Sequence, residues 1–164
     1  MIHLIRHARP VRPGLLLGRA DVPLANQPIA PSPLIVAAVY SSPLLRARRT
    51  AEALFPSHKI TLLDDLAEIG GGAWDGLAWS EIETRWPALA ARRLQVWWSE
   101  LPPGAEPRTV VEQRAQAACA RIATGPRPAA VIAHAGLNAF LAQLGDGSAI
   151  ESFRQEYLEV KTYA

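Results

Sequence analysis

Four stretches of this sequence end an apolar run on side chains able to do chemistry. Arg6 and His7 follow "IHLI", Ser41, Ser42 and Arg46 follow "LIVAAVY", Glu68 follows "KITLL", and His134 follows "AAVIA". Histidine beside arginine points to phosphoryl transfer. A neutral imidazole attacks phosphorus while guanidinium forks bind the non-bridging oxygens and offset the charge that repels the nucleophile. The same positive charge is expected to lower the pKa of His7 and keep it unprotonated near pH 7. The departing alkoxide then needs a proton, and Glu68 can supply it, set beside glycines and Trp74 that would desolvate a carboxyl. Asp75 and Glu81 are competing carboxylates nearby. Such chemistry needs no metal.

These residues act together only if the fold brings them to one place. Short β-type runs at "IHLIR", "LIVAAVY", "KITLL", "AAVIAHA" and "EYLEVKTY" alternate with helical stretches, which predicts an α/β sandwich. In such a sheet ligands bind beyond the carboxyl ends of parallel strands. Arg6, His7, Arg46 and His134 would then meet at one edge. The stretch "PLLRARRTAEALF" reads as a helix capped by Ser42, with Pro43 at its first position and Leu44, Ala47, Ala51 and Leu54 on one face. The stretch "RTVVEQRAQAACARIAT" reads as a second helix, and "GLNAFLAQLG" as a short third. Between the first and second of these, "WSEIETRWPALAARRLQVWW" reads as a helical excursion rich in tryptophan, which could roof a site, followed by the turn "PPGAEP". Three prolines in "LANQPIAPSPL" leave room for at most a brief helix.

Length and composition agree with this picture. A chain of 164 residues suits one domain spanning 1–164, and 49% hydrophobic with 20% charged residues is the balance of a folded globular protein. The formal net charge of +2 is too small to imply a nucleic-acid surface and fits a local anion site. The single cysteine, Cys119, excludes an intramolecular disulfide and reads as a buried thiol. The N-terminal apolar run is broken by His3 and stops at Arg6, too short for a signal peptide or a membrane span, so a cytoplasmic location without membrane partners is expected.

In order and spacing, "LIRHARP", "YSSPLLRARRTAEAL", "LAEIGGGAWDGLAWSEI" and "VIAHAG" resemble the signature blocks of the histidine phosphatase superfamily, the phosphoglycerate-mutase-like family. "GRADVPL" is similar to a further family segment, and "PPGAEP" to a turn of the alpha-ribazole phosphatase branch. The resemblance implies a three-layer sandwich with a mostly parallel sheet and an antiparallel edge strand. It implies that His7 is the phosphohistidine nucleophile, that Arg6 and Arg46 bind phosphate, that His134 completes the pocket, and that Glu68 is general acid and then base. It implies no metal and no cofactor. The chain departs from the family where Ala8 stands in place of glycine and where "RPVRPG" replaces the usual Ser or Thr and Asn; there Arg9 or Arg12 can substitute by charge. The chain is also shorter than cofactor-dependent mutases, which favours a hydrolase.

Each residue has a plainer reading by itself. His7 and His134 suit hydrogen-bonded strand ends, Arg6 and Arg46 suit ion pairs, and Glu68 suits a carboxylate accepting backbone N–H groups. The tryptophans suit packing, Arg48 and Arg49 a solvated helix face, and His3 and His58 no chemistry. The ordered set favours a metal-independent phosphomonoesterase acting on a small phosphorylated metabolite, with alpha-ribazole phosphate the leading substrate by branch similarity. The alternatives are a protein phosphohistidine or phosphotyrosine phosphatase, and a phosphate-binding relative without turnover. The sequence leaves the oligomeric state open.

Overall fold

The computed structural model describes residues 1–12, 14–96 and 100–164, with 93–96 as backbone alone. Its centre is a strand of five fully buried residues, Ala129–Ala133. Ala129, Val131 and Ala133 join one core cluster, while Ala130 and Ile132 join another on the opposite face. A strand buried on both sides has no need of polar alternation, which is why "AAVIA" reads as a continuous apolar run.

In chain order the elements are β1 (Ile2–Arg6), β2 (Leu15–Leu16), β3 (Ala38–Ser41), α1 (Leu45–Leu54), β4 (Ile60–Leu62), β5 (Leu77–Ala78), α2 (Trp79–Arg85), α3 (Pro87–Val96), α4 (Arg108–Ala123), β6 (Ala129–Ala133), α5 (Ala135–Asp146) and β7 (Val160–Tyr163). The main sheet runs β4-β3-β6-β1-β7. All neighbours are parallel except β7, which lies antiparallel against β1. Helix α1 covers one face through Ala47, Ala51 and Leu54. Helices α4 and α5 cover the other with Val111, Ala115, Ala118, Ile122, Leu137 and Phe140. The result is the expected three-layer sandwich with an antiparallel edge.

Several expectations need correcting. The second strand covers only Ala38–Ser41 of the run expected from Leu34, because the ladder to β6 starts at Ala38. Helix α1 begins at Leu45, not Pro43; the Ser42 hydroxyl accepts the Leu44 N–H at 3.2 Å, one residue outside the helix. The tryptophan-rich excursion is two helices, since Pro87 lacks an N–H and its ring disfavours helical backbone at Trp86. Trp74, Trp79 and Trp86 pack on one another with Ile82 and Ala90 in a third, smaller core, while Trp97 and Trp98 lie outside the described residues. The small β2–β5 pair was not foreseen. Cys119 is half-buried against the core, and burial raises its thiol pKa.

Candidate active site

Strands β3, β6 and β1 are adjacent and in register, so the residues that follow them sit side by side. Arg6 faces Ala133 and Ser41 faces Ile132. The pairing continues one step further, with the His7 N–H donating to Ala133 O and the Ser42 N–H to Ile132 O, both at 3.0 Å. His7, Ser42 and His134 are thus held at one sheet edge by backbone bonds. The rings of His7 and His134 are 5.0 Å apart, and both are buried, at 4% and 0% exposure.

Neighbours on both sides fix the protonation of His7. Nδ1 lies 2.7 Å from Ala8 O, which can only accept, so Nδ1 carries the proton. The lone pair is then on Nε2, where the Arg46 Nε–H donates to it at 3.2 Å. Burial is the largest influence on this ring and lowers its pKa from 6.5 to about 3; the Ala8 bond opposes this, and Arg46 and Arg6 add to it. The expected direction is therefore seen, with desolvation ahead of the arginine charges as its cause. His134 is shifted the same way, again chiefly by burial.

Arg46 is 1% exposed and enters the site from α1. Its Nη1 donates to Ala20 O and its Nη2 to Gly18 O, each at 2.8 Å, which leaves one N–H on each terminal nitrogen. Burial pulls its pKa below the ordinary arginine range against the opposing charges of Glu68, Asp21 and Asp75. Arg6 reaches in from β1. Its Nη1 donates to Gln155 O at 2.7 Å, its guanidinium lies 4.0 Å over the Tyr157 ring, and its Nε is buried without a partner among the described residues. On His134, Nε2 bonds the Ser42 hydroxyl at 2.8 Å while Nδ1 is likewise buried and unpartnered. Buried polar atoms left open in this way suit an oxyanion.

Glu68 comes from the loop after β4 and lies against the start of α5. Its carboxylate accepts N–H groups from Ile69 at 2.9 Å, Leu137 at 3.1 Å and Gly136 at 3.4 Å. A Cβ at Gly136 would stand 2.6 Å from Glu68 Oε1, so a larger residue there would displace the carboxylate. The competing carboxylates are likewise held by backbone N–H groups. Asp75 accepts N–H groups from Gly71 at 2.8 Å and Arg19 at 3.1 Å, tying two loops together, and Glu81 accepts the Ala78 N–H at 3.0 Å beside α2.

The structure thus gathers Arg6, His7, Arg46 and His134, with Glu68 at the neighbouring helix terminus. The side chains of Arg9 and Arg12 are exposed; the Arg9 carbonyl accepts N–H groups from Ala25 and Gln27. Sequence reasoning missed Thr50, whose hydroxyl accepts the Ala8 N–H at 2.9 Å and donates to Arg46 O at 2.7 Å, fastening nucleophile loop to helix. Its spacing of four from Arg46 on the buried face of α1 was the available signal. It also missed Asp21, whose Oδ1 accepts the Leu45 N–H at 2.6 Å and caps α1 from another loop, and Tyr157, whose ring lies 5.7 Å from that of His7. Among the described residues no cluster of three or more His, Cys, Asp or Glu side chains could hold a metal ion. No helix among them is long and apolar enough to cross a membrane.

The mostly parallel, three-layer sheet with one antiparallel strand is the phosphoglycerate-mutase-like architecture, and the histidine pair lies at its carboxyl edge. The chain belongs to the histidine phosphatase superfamily, whose branch 1 model matches residues 2–162. The structure is similar to the alpha-ribazole phosphatase of Shigella flexneri, with a TM-score of 0.80 and 21% identity over 92% of this chain and 82% of that one. It is similar also to phosphoglycerate mutase of Bacillus anthracis, with a TM-score of 0.78 and 19% identity over 97% and 85%. At these identities the likeness is one of fold. A bifunctional protein of Mycobacterium tuberculosis is 39% identical over 99 residues, which make up 59% of this chain and 27% of that protein. The chain therefore matches only about a quarter of that relative's length.

Proposed function

We propose that the protein is a metal-independent phosphomonoesterase working through phospho-His7, its machinery contained in one domain. The observation that carries this reading is the state of His7: a neutral ring with its Nδ1–H donating to Ala8 O and its Nε2 lone pair turned to Arg46. A nucleophile for phosphorus needs that lone pair, and a phosphate entering the site would take over the Arg46 Nε–H. Arg6, Arg46 and the open Nδ1 of His134 bind the non-bridging oxygens. His7 Nε2 attacks in line, the ester P–O bond breaks, and the Glu68 carboxyl gives its proton to the departing oxygen. Glu68, now a carboxylate, takes a proton from the water that attacks the phosphorus. The N–P bond breaks, phosphate leaves, and His7 and Glu68 return to their starting states.

The substrate class is a small phosphorylated metabolite. The likeness to an alpha-ribazole phosphatase makes alpha-ribazole phosphate the first compound to try, and a panel of sugar and nucleoside phosphates would widen the search. The reaction itself is tested with 4-nitrophenyl phosphate in the presence of a chelator. Turnover should persist with chelator and fall at least a hundredfold in His7→Ala. Phosphate binding without turnover in the unaltered protein would sink the proposal in favour of a binding relative.

A further inference from the structure

Resting on the reading of Glu68 as proton donor, we infer that Arg114 and Glu106 form a clasp that positions Glu68. Arg114 projects from α4 and is 9% exposed. Its Nε and Nη2 donate to Glu106 Oε1 and Oε2 at 2.7 and 2.9 Å, a two-pronged pairing. Its Nη1 donates to two carbonyls before Glu68, Asp65 O at 2.9 Å and Ala67 O at 2.6 Å. Glu106, from the "PPGAEP" turn, grips the other side: its Oε2 accepts the Gly70 N–H at 3.0 Å and its own N–H donates to Gly70 O at 2.8 Å.

Backbone on both sides of Glu68 is therefore tied to one ion pair. Burial works against an ionised Glu106, but Arg114 and the Gly70 N–H outweigh it and hold the carboxyl below its ordinary range. Arg19 adds a contact to Oε1 at 3.2 Å. Neither clasp residue is hydrogen-bonded to Arg6, His7, Arg46 or His134; the Arg114 charge adds to the lowering of the His134 pKa, but the bonds of both residues hold the 65–70 backbone, which makes them positioning residues for Glu68. A proton donor that must meet a leaving oxygen within hydrogen-bond reach is sensitive to small displacements. The clasp sets where that donor stands.

The test compares kcat/KM for Arg114→Lys, Glu106→Gln and Glu68→Gln on 4-nitrophenyl phosphate, whose leaving group departs without a proton, and on alkyl phosphates, whose leaving group needs one. This parameter reports the step that forms the phosphoenzyme. Lysine keeps the charge but loses the fork and a carbonyl contact; glutamine keeps the shape but loses the charge. Both variants should stay within about threefold on 4-nitrophenyl phosphate and fall about tenfold or more on alkyl phosphates, approaching the profile of Glu68→Gln. Equal losses on both substrates, or none, beside a selective loss in Glu68→Gln would overturn the clasp while leaving Glu68 in its role. A Glu68→Gln variant with no selectivity would overturn the role of Glu68 and the clasp with it. If Arg114→Lys fails to fold, Glu106→Gln decides the matter.

Discussion

His7 is made a nucleophile by two neighbours of opposite kind, a carbonyl that accepts its Nδ1–H and a guanidinium that faces its lone pair. Ala8 supplies the carbonyl and, through its N–H to Thr50, the anchor of the loop. The residue is fully buried, and among the described residues only Leu158 is a non-glycine with positive φ, so the backbone at Ala8 asks for no glycine. The departure from the family at this position is thus conformationally neutral. Ala8→Gly is expected to leave kcat/KM within about twofold and to lower stability by about 1 kcal/mol, through a looser unfolded chain and a lost methyl contact. Steady-state kinetics with a denaturant melt check this. A KM that falls several-fold would mean that the methyl group crowds the phosphate.

At the scale of elements, what was legible was whatever the chain writes locally. The buried run of β6, the strand of β1 and the apolar stripe of α1 are each contiguous patterns, and they place His134, His7 and Arg46 without knowledge of the rest. Glu68 was legible through its glycine neighbours and the resemblance. What was not legible depends on contacts distant in sequence. Asp21 caps α1 across 24 positions, and nothing in "SSPLL" announces that the cap comes from elsewhere. The β2–β5 pair rests on two residues from each strand, too few to show an alternation. The role of Glu106 was hidden for the same reason: its partner Arg114 lies eight residues on, and the loop they hold lies about forty back. Ser42 was read as a helix cap because serine before proline usually is one. Here the hydroxyl is also bonded to His134, across 92 positions.

At the scale of the whole molecule, burying two neutral histidines ties stability to pH. The folded-state pKa of His7 lies near 3 against 6.5 for an exposed ring, and His134 is displaced in the same direction. Between those values the unfolded chain binds protons that the folded chain refuses. Stability should thus fall as pH drops from 6.5 toward 3, by about 1.4 kcal/mol per pH unit for His7, with His134 adding a loss of the same sign. Urea melts at pH 7 and pH 5 should show this loss, and His7→Gln should show a smaller one. An equal loss in both proteins would contradict the burial of a neutral His7.

The central claim, that phosphate passes through His7, is tested most directly by trapping the phosphoenzyme. The protein is mixed with a phosphate ester and chelator, quenched in base within milliseconds, and its phosphorylated peptide is mapped by mass spectrometry. Phosphate is expected on His7, stable in base and lost in acid, and absent from His7→Ala. Phosphate on another residue, or undiminished turnover by His7→Ala, would contradict it.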